Sequence, residues 1–336
     1  MLDYSQLEKY DPSGMHKIYD QWPQIAKDAY NSDLESVDFK NIDHIVFAGM
    51  GGSGAIGDLF ASILSTTNIH VSLVKGYLLP NTVDKNTLVV TTSVSGDTVE
   101  TLTVLDSAHK LDCNIIAFSS GGKMEEYCIK NQINYKKIKS IHSPRTSFIK
   151  FLFSILNVLN SILPIDKNHI FESLDELSKL QKYICSQNLS DSNPALTLAN
   201  FISKIPLIYY PYGLQSSATR FKSSMQENAK SHAIIEDMVE ACHNGIVAWE
   251  KPSIIQPILL RGYDDSKKTK ERFDIIKEFF DKNNIKSKEI TSVSGNILTK
   301  LITLTYLFDY SSIYRAILSE VDPTPVSSIN FIKDRI

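Results

Sequence analysis

The stretch IVFAGMGGSGAIGDLF, Ile45 to Phe60, sets Gly49, Gly51 and Gly54 at G-x-G-x-x-G spacing directly behind the apolar run Ile45-Val46-Phe47-Ala48. Such a run followed by glycines reads as a strand that turns sharply into a helix, with backbone N–H groups at the positive end of that helix facing an anion. The pattern calls for a phosphate without saying whose. A dinucleotide site adds a carboxylate about 20 residues on, at the end of the second strand. Here that strand ends VSLVKGY, with Lys75 and no acid. A basic residue there suits NADP, so the dinucleotide reading is weakened and stays open.

Outward from this stretch, short β-branched runs alternate with longer helical segments, the signature of a parallel sheet with crossover helices. HIVFAGM, IHVSLVKG, TLVVTTSV, CNIIAFSS and INYKKI read as strands, and GAIGDLFASILSTT, TVETLTVLDSAHKL and KMEEYCIKNQ as the helices between them. A second α/β pattern begins at PLIYYPYG and passes through LQSSATRFKSSMQENAKS, IIQPILLRGYDD and RFDIIKEFFDKN. It ends in a long helical stretch broken at Asp322-Pro323-Thr324-Pro325. The fold expected is α/β, with two doubly wound, flavodoxin-like or Rossmann-like subdomains: 1–160, a helical connector over 161–198, and 199–336 with the C-terminal helices.

Composition narrows the classes. The 336 residues are 43% hydrophobic and carry 35 basic against 38 acidic side chains, a net charge of −3, so no overall field draws the chain to nucleic acid. The cysteines Cys113, Cys128, Cys185 and Cys242 are scattered, without metal-site spacing, and fit reduced thiols. No secretory h-region opens the chain, and FIKFLFSILNVLNSILP, interrupted by Lys150, reads as a helix buried in protein. These features point to a cytoplasmic protein. There is no G-x-x-x-x-G-K-[ST], which argues against a nucleoside triphosphate.

The choice between phosphates turns on TTSVSGDTVETL, where Ser93, Ser95 and Thr98 surround Gly96 just before a helix. A phosphomonoester has three terminal oxygens, and short hydroxyls plus a helix N-terminus donate to all of them. Ser53 completes such a cradle from the first loop. Taken alone, Ser95 to Thr98 is an ordinary capping turn; two such loops, after the first and third strands, favour a cradle at a topological switch point.

These loops resemble the phosphosugar-binding half of the sugar isomerase (SIS) domain family. SPRTSF with Arg145, RFKSSMQENAKSHA with Glu227, EACHNGIVAWE with His243 and DPTPVSSINFIKDRI with Lys333 resemble, in that order, segments of the bifunctional phosphoglucose/phosphomannose isomerases. The resemblance runs from about residue 40 to the end of the chain. It implies an aldose–ketose isomerase with two SIS subdomains, no cofactor and no metal, acting on small-molecule sugar phosphates as a homodimer whose partner lends a histidine. It implies that Gly52, Ser53, Ser93, Ser95 and Thr98 bind the phosphate, that Arg145 stabilises the enediolate, and that Glu227 is the base. His243, from across the interface, and Lys333 would open the sugar ring. Thr324 would leave room for either configuration at C2. The chain departs from the pattern at Val94, Asp97, Cys242 and Gly245, where relatives tend to carry an aromatic, Asn, Asn and Glu, and at His232, where they are apolar.

The chemistry asks for these residue types. Moving a proton between C2 and C1 through a cis-enediol needs one carboxylate that takes and returns it, and the developing enediolate charge favours a fixed guanidinium. Ring opening suits an imidazole that titrates near neutrality. From the residues alone, Glu227 on a helix with Arg220, Lys222 and Lys230 reads as a surface ion-pair member. Arg145 reads as a helix-start residue, His243 as structural and Lys333 as solvated; their roles rest on the resemblance. Other readings are a sugar-phosphate sensor without turnover, which would usually carry a DNA-binding segment not evident in 1–40, and the isomerase half of an amidotransferase, for which the chain is too short.

Overall fold

The computed structural model describes residues 2–335. Two short helices come first, α1 (Tyr4–Tyr10) and α2 (Met15–Asp20), then α3 (Trp22–Tyr30). The first α/β run is β1 (His44–Ala48), α4 (Gly51–Leu64), β2 (His70–Val74), β3 (Thr87–Ser93), α5 (Val99–His109), β4 (Asn114–Ser119), α6 (Gly122–Lys130) and β5 (Asn134–Lys137). Then come α7 (Phe148–Val158), α8 (Lys167–Ile184) and α9 (Pro194–Phe201). The second run is β6 (Ile205–Tyr210), α10 (Gln215–Glu227), β7 (Ile234–Asp237), α11 (Met238–Ala241), β8 (Ile255–Arg261), α12 (Lys267–Lys282) and β9 (Lys288–Thr291). It closes with α13 (Ile297–Leu318) and α14 (Ser327–Lys333).

Both sheets are parallel throughout, ordered β2-β1-β3-β4-β5 and β7-β6-β8-β9. The expected architecture of two parallel sheets with flanking helices is the one observed. In the first sheet β1 and β3 are buried along their whole length, as strands covered on both faces must be. β1 lies between β2 and β3, so the chain leaves β1 and β3 toward opposite neighbours and a switch point opens at their carboxyl ends. The five strands read from the first run are all present. In the second run the four-residue strands β7 and β9 join β6 and β8, which alone are legible from the sequence.

The chain divides into two compact units, Gln21–Leu174 and a second made of the residues up to Asp20 with everything from Asp175 on. This grouping differs from a simple division near residue 160. Its physical cause is α13, which is apolar on nearly all sides and therefore buried. Tyr306 Oη donates to the Tyr19 carbonyl at 2.6 Å, and Tyr310 Oη to that of His16 at 3.2 Å, so α2 packs on α13. FIKFLFSILNV forms α7, whose side chains are buried as expected except for the half-buried Lys150 and Asn157.

Candidate active site

The glycines that open α4 work as the spacing requires. A Cβ on Gly49 would stand 2.9 Å from the Thr92 carbonyl, and one on Gly54 2.7 Å from that of Gly49, so both admit close backbone approach. Gly51 takes a φ of +54°, the turn that starts the helix. Neither α4 nor α5 has a side-chain cap at its N-terminus, although Thr98 occupies that position of α5. Their first amides therefore keep their positive ends for an anion.

The hydroxyls named from the sequence in the first unit gather at these two helix starts. Ser93, buried at the end of β3, lies with its Oγ 2.8 Å from Thr98 Oγ1 and accepts the Gly96 N–H at 3.0 Å. Ser53 Oγ accepts the Val94 N–H at 3.3 Å, which joins the loop after β1, where Gly52 lies, to the loop after β3. Ser95 is exposed, and its Oγ accepts the Asp97 N–H at 3.3 Å. Gly96 has a φ of +81° and leaves no room for a Cβ, which would meet the Gly121 carbonyl at 1.8 Å.

The Asp97 carboxylate, beside these hydroxyls, is engaged elsewhere. Its Oδ1 accepts the Lys123 N–H at 3.0 Å in the first turn of α6, so it caps the neighbouring helix rather than its own. Lys75, where a dinucleotide site would need its acid, is paired through Nζ with both carboxylate oxygens of Asp58 at 2.6 Å. At the end of β2 the position thus holds an ion pair rather than a lone carboxylate.

Arg145, 4% exposed, sits in the turn before α7. That turn is tied down by its hydroxyls: Thr146 Oγ1 donates to the Ile141 carbonyl at 2.6 Å, Ser147 Oγ to the Ser143 carbonyl at 2.9 Å, and Ser147 Oγ accepts the Ile141 N–H at 2.8 Å. Trp22 Nε1 also donates to the Thr146 carbonyl at 3.1 Å. These bonds fix the backbone from which the Arg145 side chain projects.

In the second unit Glu227 ends α10 and is half-buried. Of the charged neighbours named with it, Arg220 does not lie on the surface, although it feels the Glu227 charge. Arg220 is buried and bonds Asp309 of α13, from Nε to Oδ1 at 3.0 Å and from Nη2 to Oδ2 at 2.6 Å. Burial opposes the guanidinium charge, and the Asp309 carboxylate overcomes it, so Arg220 is held above its ordinary value. Lys230 Nζ donates to the carbonyls of Glu227, Pro323 and Pro325 at 2.5, 3.2 and 2.7 Å. It thereby anchors the loop carrying Thr324 to the end of α10.

His243 is exposed in the turn after α11, where its N–H donates to the Glu240 carbonyl at 2.8 Å. Cys242, half-buried, lies with Sγ 3.3 Å from the Met238 carbonyl. Lys333 is exposed on α14, none of whose residues is buried. The sequence reading missed Asp309, whose one signal is a lone carboxylate inside the apolar run LITLTYLFDYSSIY.

Comparison with known proteins agrees with this layout. A SIS domain model matches residues 38–152, and the model described as the bacterial phospho-glucose isomerase C-terminal SIS domain matches 191–336. A bifunctional phosphoglucose/phosphomannose isomerase of Caldicellulosiruptor bescii is 33% identical over 332 residues, 95% of this chain and 97% of the relative. The chain belongs to the bifunctional phosphoglucose/phosphomannose isomerase family. Similarity around this family extends to a D-glucosamine-6-phosphate 4-epimerase of Sulfolobus acidocaldarius, 31% identical over 69% of this chain and 72% of that protein. Among solved structures, a hypothetical protein from Thermus thermophilus superposes with a TM-score of 0.75 at 14% identity, covering 98% of this chain and 91% of that one, and so shares the fold. The cradle described above lies in the family's first SIS domain, and Glu227 in its second. Among the described residues no group of three or more His, Cys, Asp or Glu is arranged to hold a metal ion, and no helix is long and apolar enough to cross a membrane.

Proposed function

We propose that this protein is an aldose–ketose isomerase that interconverts glucose 6-phosphate and mannose 6-phosphate with fructose 6-phosphate. The observation that carries the reading is the cradle at the β1/β3 switch point, where Ser53, Ser93 and Thr98 meet two uncapped helix starts. It suits a phosphomonoester, and membership of the isomerase family supplies the sugar.

In this reading Gly52, Ser53, Ser93, Ser95 and Thr98 hold the phosphate and leave the sugar carbons free to react. Glu227 takes the proton from C2 of the open-chain aldose and returns it to C1 through a cis-enediol, and the reverse step uses the same carboxylate. Arg145 stabilises the enediolate oxygen. His243 and Lys333 deliver and remove the protons of ring opening, the histidine reaching the site of a partner copy in a homodimer. The exposure of His243 and of all of α14 in the single chain is consistent with such an arrangement. Thr324, near the end of α10, leaves space for either C2 configuration. The protein acts in the cytoplasm and needs neither cofactor nor metal.

The test is a coupled assay of the purified protein with EDTA present, following fructose 6-phosphate from each aldose phosphate separately. Turnover of both is expected. Turnover of glucose 6-phosphate alone would retain the chemistry and remove the dual specificity. Binding of sugar phosphates without turnover would favour a sensor. Glucosamine 6-phosphate, followed for a 4-epimer, serves as the contrasting substrate because one relative carries that name.

A further inference from the structure

We propose that Asp309 is a positioning residue for the isomerisation: through Arg220 and Ser224 it fixes the rotation of α10 that presents Glu227, and Tyr19 holds Asp309 in turn. The inference rests on the reading of Glu227 as the base. Arg220 and Ser224 on α10, and Asn228 that caps its end, are spaced four apart and share one face, and Glu227 lies seven residues after Arg220, two helical turns along the same face.

Each of these turns is bonded to α13. Arg220 makes its two-atom contact with Asp309, Ser224 Oγ donates to Asp309 Oδ1, and Asn228 Nδ2 donates to Ser312 Oγ at 2.8 Å, one turn further along α13. The last of these bonds is made by the residue that follows Glu227. Tyr19 Oη donates to Asp309 Oδ2 at 3.0 Å, and the Tyr19 carbonyl is itself held by Tyr306. Oδ1 thus receives donors from α10, and Oδ2 from both α10 and α2.

Packing alone does not call for this arrangement. A buried ion pair loses about as much in desolvation as it gains in attraction, and apolar side chains would hold two helices together equally well. What a bidentate guanidinium–carboxylate contact adds is direction. A slip of one residue turns a helix by about 100° and would carry Glu227 off its face. A base that exchanges a proton between two carbons tolerates no such freedom, since a misplacement of about 1 Å costs on the order of a hundredfold in rate.

The test compares wild type with Ser224→Ala, Tyr19→Phe and Asp309→Asn in the fructose 6-phosphate assay, with folding checked by circular dichroism. Folded Ser224→Ala and Tyr19→Phe are expected to lose roughly tenfold in kcat, and Asp309→Asn roughly a hundredfold, with KM within about twofold of wild type. Ser224→Thr, which keeps the hydroxyl, is expected to recover most of the kcat. Asp309→Asn leaves a buried guanidinium without its counter-charge and can fail to fold, so the two milder variants carry the test. Full kcat in both, or a raised KM at unchanged kcat, overturns the inference while Glu227→Gln stays inactive. Undiminished turnover in Glu227→Gln strikes the reading of the base itself and takes the inference with it.

Discussion

The hydroxyls of Ser93 and Thr98 lie 2.8 Å apart across the bend that joins β3 to α5, so one donates to the other. A phosphate seated there would take both as donors. Removing either leaves one fewer hydrogen bond to a doubly charged ligand, each worth about 1.5–3 kcal/mol. Ser93→Ala and Thr98→Ala are therefore expected to raise KM for glucose 6-phosphate by roughly ten- to a hundredfold. Initial-rate kinetics check this, and an unchanged KM in both would move the phosphate elsewhere.

Two glycines with positive φ make opposite demands. Gly51, at +54°, has nothing within 4 Å of where a Cβ would stand, whereas one on Gly96, at +81°, would sit 1.8 Å from the Gly121 carbonyl. Gly51→Ala is expected to cost only the left-handed penalty of about 1–2 kcal/mol. Gly96→Ala adds a clash with backbone that cannot swing aside, so its loss should be larger, on the order of 3 kcal/mol or more. Urea unfolding of the two variants gives the comparison.

Gly245 sits against a side chain of the neighbouring strand. A Cβ there would stand 2.2 Å from Glu236 Oε1, so the carboxylate of β7 occupies the space that a side chain at 245 would need. Gly245→Ala should displace Glu236 and disturb the segment beside His243. Because a side chain can yield where backbone cannot, the expected loss of stability is modest, about 1 kcal/mol by urea unfolding.

Acid stability should depend on Asp11. Burial works against its charge, but the hydrogen bond with His16, at 2.7 Å, and the amides of Met15 and His16 outweigh it and hold the carboxyl below its ordinary 3.8. A carboxyl depressed in the folded state contributes stability above its unfolded value and loses it as pH falls through the folded value. Asp11→Asn should accordingly be less stable than wild type near neutrality, and the gap should narrow as pH drops below 3.8. Urea titrations at a series of pH values would reveal a constant gap if the pair were unimportant.

The proposed homodimer makes a prediction about mixtures. His243→Ala and Glu227→Gln chains, each inactive alone, form heterodimers in which one of the two sites regains both groups. Random pairing in a two-fold dimer then restores about a quarter of wild-type activity. Verified heterodimers without activity would place both groups in one chain's site.

The sequence carried the first sheet well, because β1, β3 and β4 are apolar runs closed by glycine or serine turns, and those same turns carry the hydroxyls proposed to hold a phosphate. It did not carry β7 and β9, IIED and KEIT, four residues each; β5 is as short but continues the strand–helix alternation of the first run. Nor did it reveal that Arg220 turns inward. A guanidinium on a polar helix looks solvated until its partner is known, and Asp309 lies 89 residues further along. The placing of Asp97 on α6 is equally non-local, since its bond joins loops that follow different strands.

The bond from Tyr19 to Asp309 spans 290 residues. At about 5–20 residues per second of synthesis, α2 leaves the ribosome a good fraction of a minute before the helix it packs on. During that interval Tyr19 and its neighbours have no α13 to bond to. The bonds of α2 to α13 thus close only once α13 has been made, and a fusion or tag that hinders α2 would act on that step.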